Sequence, residues 1–202
     1  MTTKTNKIFT AAIALAILVS VIIFVSVNLP KNQTPKKEEP VTETSILTIT
    51  LNGISKNYTL DELQTVDSFT AKGGYRTSFP SIKGQGNYTG VRIETLVDSL
   101  DESLTNYSIV ITSFDGEQTE NKTYNYSVIL GNVDIYDPEN ASISTPIGHG
   151  GLTMVLAYQY EEILLNTSKE GALKVAFLDT QGSITNAGLW WKYVMALQII
   201  PE

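Results

Sequence analysis

The chain has 202 residues, 42% hydrophobic and 17% charged, with a formal net charge of −7. That length allows one domain with an appendage, and the modest Gly, Pro and charge content excludes collagen, coiled coil and full disorder. The acidic balance argues against nucleic acid as a partner, which calls for a basic face. The absence of cysteine excludes disulfides, thiolate metal sites, a cysteine nucleophile and a lipid-modified N-terminal cysteine.

From Ile8 to Val27 the chain runs for twenty residues without a charge or a proline. As a helix rising ~1.5 Å per residue, the run would span ~30 Å, the thickness of a bilayer core. Lys4 and Lys7 precede it, as positive-inside topology requires. A cleavable signal has a shorter apolar region and a small-x-small exit, whereas this run leaves through Val25-Ser26-Val27-Asn28-Leu29-Pro30. The reading is an uncleaved signal anchor, with residues 1–7 cytoplasmic and a transmembrane helix over 8–28. Residues 29–45 hold three prolines, alternating charge and few apolar side chains, so they read as a disordered linker. The folded domain is then 46–202, with 9 Lys/Arg against 18 Asp/Glu, a net of −9.

Lysines also follow the apolar run (Lys31, Lys36, Lys37), so charge alone fixes orientation weakly. Sequons carry more weight. Eight Asn-x-Ser/Thr triplets begin at Asn32, Asn57, Asn87, Asn106, Asn121, Asn125, Asn140 and Asn166. With 13 Asn and 40 Ser plus Thr, chance would supply about 2.6. The excess points to an exported, N-glycosylated domain, and the lack of cysteine suits an archaeal or bacterial cell surface.

Along the domain, Ile46–Leu51 alternates β-formers and meets Asn52-Gly53, the strongest short hairpin signal; Ile54–Tyr58 returns. Thr59-Leu60-Asp61-Glu62 fits a capping box, with Leu60 and Leu63 on the apolar face of a short helix. Ser68–Ala71 reads as a strand ended by Gly73-Gly74. The stretch on to Gly90 carries Pro80, Gly84 and Gly86 as well, so it reads as a long loop or loose hairpin. Ile93, Leu96, Val97 and Leu100 recur at helical spacing. Tyr107–Thr112 reads as a strand turned at Asp115-Gly116, Tyr124–Leu130 as the next strand, and Leu152–Tyr160 as a central one. Leu173–Leu178 and Val194–Ile200 complete an α+β, mainly β fold without βαβ alternation.

Three sets of residues invite a functional reading. Lys72-Gly73-Gly74-Tyr75-Arg76 is either a tight turn that needs positive φ at glycine or an anion nest with Arg76 as a fork. Arg76 and Arg92 are the only arginines. His149, the sole histidine, follows Asp134, Asp137 and Glu139, whose carboxylates suit a hard cation but equally a polar turn begun at Asp137-Pro138. Trp190 and Trp191, adjacent on a strand, must face opposite ways; one packs in the core. No G-x-S-x-G elbow, P-loop or dinucleotide fingerprint occurs.

In order, six segments resemble the molybdopterin-binding domain of the sulfite-oxidase type. They are Tyr58-Thr59-Leu60-Asp61-Glu62-Leu63, Tyr88-Thr89-Gly90-Val91-Arg92-Ile93-Glu94-Thr95-Leu96-Val97, Thr112-Ser113-Phe114-Asp115-Gly116, Val155 to Leu165, Gly171-Ala172-Leu173-Lys174-Val175-Ala176, and Trp190-Trp191-Lys192 through Ile199. The resemblance implies that fold over nearly all of 46–200. It also implies that the loop at about Thr70–Tyr75 faces the pterin, and that Lys174 stands where the family places an arginine contacting an anion or cofactor. Catalytic members of the family hold molybdenum through a cysteine in that loop, and this chain has none; a soft thiolate is not replaced by Ala or Gly. Lys174 keeps the charge but loses the bidentate fork.

The cofactor-binding set expected on these grounds is Lys72, Gly73, Gly74, Tyr75, Arg76, His149 and Lys174, with no metal ligand and no assigned catalytic residue. The leading expectation is a degenerate domain, anchored in the cell membrane with its C-terminal part extracytoplasmic. It would hold no cofactor and bind a small anionic ligand or a cell-envelope protein. The competing expectation is an oxidoreductase that binds molybdopterin without cysteine ligation, and a third is a purely structural glycosylated surface domain.

Overall fold

The computed structural model describes residues 44–202. The expected anchor over 8–28 and nearly all of the linker lie outside the described residues. Among the described residues, no helix is long and apolar enough to cross a membrane.

The N-terminal part follows its local signals. β1 (Leu47–Leu51) and β2 (Ile54–Tyr58) pair through Asn52 and Gly53, at φ 50° and 79°, the backbone a two-residue hairpin demands. Helix α1 (Leu60–Thr65) opens on the expected capping box: the Thr59 hydroxyl accepts from the Glu62 amide, and the Thr59 amide donates to the Glu62 carboxylate. Leu63 is buried.

Two expectations fail in the middle of the chain. β3 (Ser68–Arg76) does not stop at Gly73-Gly74, and the glycine-rich stretch after it forms the eleven-residue β4 (Ile82–Arg92), its long hairpin partner. Glycine is frequent there because close neighbours leave no room for a Cβ: the Tyr75 and Tyr88 rings at Gly84, the Tyr160 and Glu161 side chains at Gly86, and the Leu156 backbone at Gly90. α2 (Ile93–Asp98) then buries Ile93, Leu96 and Val97. β5 (Tyr107–Phe114) and β6 (Thr119–Tyr124) pair across the Asp115-Gly116 turn. The second failure is Tyr124–Leu130. Its centre is helix α3 (Tyr126–Ile129), because the Asn125 side chain accepts from the Val128 amide and caps a helical turn.

Next come β7 (Asp134–Ile135), β8 (Gly148–His149), β9 (Thr153–Tyr160), β10 (Ile163–Leu164), β11 (Lys174–Leu178) and β12 (Ile184–Asn186). A short 3₁₀ turn (Ala187–Leu189) precedes β13 (Val194–Pro201). The described fold is mainly β, as expected from the sequence.

The strands form two large sheets. The first, in order β2-β1-β13-β5-β6, is antiparallel apart from the parallel β1–β13 pair. The second, β10-β9-β4-β3-β12, also pairs β11 with β9. It curls back on itself: the Lys72 amide donates to the Asp179 carbonyl, and the Asp179 amide returns the bond to Lys72. The main core fills the space between the sheets, with Ile49, Ile109, Leu197, Leu156 and Phe177 among its members. The alternate residues of β9 and β11, Val155, Ala157, Ala176 and Leu178, point the other way. With Ala71, Tyr88 and Trp190 they make a second, smaller core inside the curl.

Candidate functional site

Lys174 begins β11 and shares the side of Ala176 and Leu178, because strand residues two apart face one way. That places a lysine inside the second core, with its side chain only 1% exposed. Its ammonium lies 5.3 Å from the ring centre of Tyr75, 5.5 Å from Tyr88 and 5.2 Å from Trp190. Three π-faces solvate a cation by electrostatic attraction to the ring quadrupole. The charge is balanced by Glu170, whose two carboxylate oxygens each accept from Nζ at 3.3 Å. Lys192 also reaches Glu170, at 3.1 Å.

The two partners of this pair respond differently. Burial pushes the Lys174 ammonium below its usual range, against the opposing pull of Glu170. Burial also works against the Glu170 charge, but two lysines outweigh it and hold the carboxyl below its usual range. The asymmetry follows from exposure and partner count: Glu170 keeps 25% of its side chain in solvent and faces two cations.

Above this cage opens a cleft of about 700 Å³. Tyr75, Tyr88 and Tyr160 wall it, Ile163, Leu164 and Leu165 form an apolar side, and Lys83, Lys169, Lys192, Glu161 and Glu170 carry its charge. Its phenols are fixed by backbone acceptors: Tyr88 donates to the Gly84 carbonyl and Tyr160 to the Gln85 carbonyl, both at 2.9 Å. Burial, aided by nearby Tyr160 and Glu170, pushes the Tyr88 phenol far up, so it stays a neutral donor. The Glu161 carboxylate accepts from the Asn87 amide at 2.7 Å, which occupies one of the two acidic groups.

A second cleft, of about 460 Å³, lies beside the β7–β8 ribbon, lined by Lys122, Asn132, Asp134, Tyr136, His149 and Asn186 among others. His149 Nδ1 is 2.9 Å from the Asp134 carboxylate, and both side chains are more than half exposed. Asp137 and Glu139 do not join them. The Asp137 carboxylate instead accepts from the Glu139 and Asn140 amides and closes a turn. Among the described residues no group of three His, Cys, Asp or Glu side chains could hold a metal ion.

The seven expected site residues are therefore dispersed. Tyr75 and Lys174 meet at the first cleft. His149 lines the second. Arg76 stacks 5.6 Å over the Tyr136 ring of that second cleft, and its Nε donates to the Ala141 carbonyl at 2.5 Å, which turns the guanidinium toward a loop and away from the first cleft. Lys72, Gly73 and Gly74 form neither a nest nor a turn. They lie mid-strand, away from positive φ, with the Lys72 amide tied to Asp179 and Gly74 in register with Ile184 of β12. A Cβ at Gly73 would come within 2.7 Å of both the Phe177 carbonyl and a Leu178 methyl. Glycine is needed there for the close approach of β3 to β11. Trp190 belongs to the inner core and donates to Thr185 at 2.7 Å, while Trp191 packs on the main core and donates to Ser113 at 3.0 Å.

This geometry tests the molybdenum expectation. The wall that would present a thiolate holds Ala71, buried in the inner core, and, two residues on, Gly73, with no room for a side chain. The described residues do not fit a thiolate-held metal there. Sequence reasoning missed Lys83, Lys169, Glu170, Lys192, Tyr88 and Tyr160 as cleft residues. The available signal was cation scarcity, since a domain with nine Lys/Arg places four of them at one cleft.

No known family profile matches the chain, and no curated protein does. Among solved structures, the chain is similar to the crystal structure of the sulfane dehydrogenase SoxCD from Paracoccus pantotrophus. The TM-score is 0.52 at 12% identity, over 81% of this chain. The chain spans 40% of the length of that structure's chain. The likeness is one of fold.

Proposed function

We propose that this chain is a membrane-anchored, extracytoplasmic binding module built on a sulfite-oxidase-type, oxidoreductase-like fold, and that it takes a small anionic ligand in the tyrosine-walled cleft. The fold shared with a sulfane dehydrogenase and the order of the six sequence segments support the fold part of this reading. The apolar run over 8–28 and the sequon excess support the location.

One observation carries the ligand class. In a domain of net −9, Lys83, Lys169 and Lys192 line one cleft and Lys174 lies beneath it. Glu170 is paired with two of them, and Glu161, held by a backbone amide, leaves the four lysines in excess of the two carboxylates. A cleft of net positive charge with low-dielectric walls concentrates counter-ions of the other sign. The tyrosines and Ile163–Leu165 suit the apolar or aromatic body of such a ligand.

The test is a titration of the full chain in detergent with a library of aromatic and aliphatic carboxylates, sulfonates and phosphates, alongside elemental analysis for Mo and W and pterin fluorescence. Saturable binding is expected, weakened about two- to fivefold by each of Lys83→Ala, Lys169→Ala and Lys192→Ala, the scale of a solvent-exposed charge. Binding unaffected by all three variants sinks the cleft assignment. Stoichiometric metal with pterin sinks the binding-module reading in favour of the oxidoreductase.

A further inference from the structure

The outward face of the first sheet carries an ordered row. Register across the five strands aligns Asn57, Thr48, Ala196, Thr112 and Asn121, from the β2 edge to the β6 edge. The row is symmetric in residue type about β13. At each end the threonine hydroxyl donates to the side-chain oxygen of the edge asparagine, at 2.8 Å in both cases. With its oxygen held by the sheet, each asparagine leaves its Nδ2 to solvent, and both residues are exposed. Asn57 and Asn121 both head sequons.

The surface between them is unusual for this domain. The next row is Ser55, Thr50, Gln198, Val110 and Thr123, and neither row holds a charge. Phe114 and Ile200, on the same face, are 47% and 40% exposed. Among the described residues both margins of the sheet, β2 and β6, are unpaired on their outer side, and open strands template pairing with another chain. An uncharged, partly apolar face with two open edges therefore lies on a domain that is otherwise strongly acidic.

We infer that Asn57 and Asn121 are N-glycosylated and that the two glycans, rising from opposite margins about 19 Å apart (four strand spacings), roof this face against self-association. The inference rests on the extracytoplasmic location proposed above. In the transfer, Asn Nδ2 bonds to the anomeric carbon of a lipid-diphosphate-linked oligosaccharide. The bond from that carbon to the diphosphate oxygen breaks, and the amide proton leaves with the carrier. Bulk and hydration at each edge then oppose strand addition.

The experiment is glycopeptide mass spectrometry on the full chain isolated from its own cell envelope, with Asn57→Gln and Asn121→Gln made singly and together in the same cells. Expected are sugar mass on both peptides and a shift of the folded double variant from monomer to oligomer in detergent gel filtration. Circular-dichroism melts confirm that the variants fold. Glycans on Asn106 or Asn140 with bare Asn57 and Asn121 would overturn this inference and leave the location standing. Bare asparagines throughout, in a domain that protease cannot reach on intact cells, would overturn both. Full occupancy with a double variant that stays monomeric would overturn the roofing role.

Discussion

The two sheets are built on different rules. In the first, β1 and β5 alternate buried and open residues along their length, so one face meets the main core and the other meets solvent. In the second, β9 and β11 are buried on both faces, because the sheet lies on the main core and also curls around a second one. A one-faced sheet tolerates much on its outer side. A sheet enclosed between two cores leaves no direction free for added atoms, and any charge inside it must be solvated by the protein itself.

The largest expected contrast comes from enlarging one small residue in each sheet. Gly90, on β4, packs so closely on β9 that a Cβ would lie 2.2 Å from the Leu156 carbonyl oxygen and 2.5 Å from the Ala157 Cα. Both are backbone atoms, so no side chain can move to make room. Gly90→Ala should cost about 3 kcal/mol or more, the upper end of overpacking. Ala196→Val, on the outer face of the first sheet, should change stability by about 0.5 kcal/mol or less, as surface substitutions do. Urea midpoints at constant m-value measure both, and similar losses for the two would break the contrast between the sheets.

The caged lysine gives the next effect. Removing one partner of a buried ion pair strands the other, whereas replacing the whole pair by apolar groups is often neutral or stabilising. Losing Lys174 strands little, because Glu170 keeps Lys192 and its 25% exposure. Glu170→Gln should therefore cost about 2–4 kcal/mol, and Lys174→Met should come within about 1 kcal/mol of the parent or exceed it. In the double variant most of the Glu170→Gln loss should return. pH sharpens the assignment. With Lys174 held below 10.5 in the folded state, the unfolded chain binds more protons as pH rises toward that value, so stability climbs through the window. Any advantage of Lys174→Met should shrink over the same range. Glu170, held below 4.5, supplies stability above that value that is lost as pH falls through its folded value. The gap between the parent and Glu170→Gln should therefore close in acid. A pH-independent gap would mean that Glu170 acts through packing.

The same contrast explains which parts of the fold the sequence could disclose. The hairpin at Asn52-Gly53, the capping box at Thr59 and the alternation in Tyr107–Thr112 are local signals, and each produces the element it predicts. β4 was hidden because Gly84, Gly86 and Gly90 are the usual marks of a loop. Here two of them stand where Tyr160, Glu161 and the Leu156 backbone approach, and those neighbours are some seventy residues away in sequence. Tyr126–Ile129 has strand-forming residues, but one asparagine side chain at its start decides for a helix. At the candidate cleft, Lys174 came into view through a family resemblance alone. No periodicity marks a lysine in an apolar strand as caged, because its three rings arrive from β3, β4 and the segment before β13. Arg76 stands out in the sequence as one of two arginines, a compositional argument that the structure answers with a loop contact.

The smallest effect concerns the turn at the rim of the cleft. β9 and β10 are joined by Glu161 and Glu162, at φ 48° and 64°, a backbone that favours Asn-Gly. Non-glycine residues held in this region carry local strain that surrounding contacts must offset. Glu161 has such a contact, its carboxylate accepting from the Asn87 amide while its own amide donates to the Asn87 carbonyl at 2.8 Å. Glu162 has no side-chain hydrogen bond among those of the described residues, and it is exposed. Glu162→Gly should therefore raise stability by about 0.5–1 kcal/mol, through relief at positive φ offset by the entropy of a freer unfolded chain. Glu161→Gly gives up the Asn87 bond and should show no such gain. A thermal melt of each variant separates the two. If Glu162→Gly instead weakens ligand binding at unchanged stability, the glutamate pair serves the cleft, and the strained turn is a device for presenting Ile163 and Leu164 on its rim.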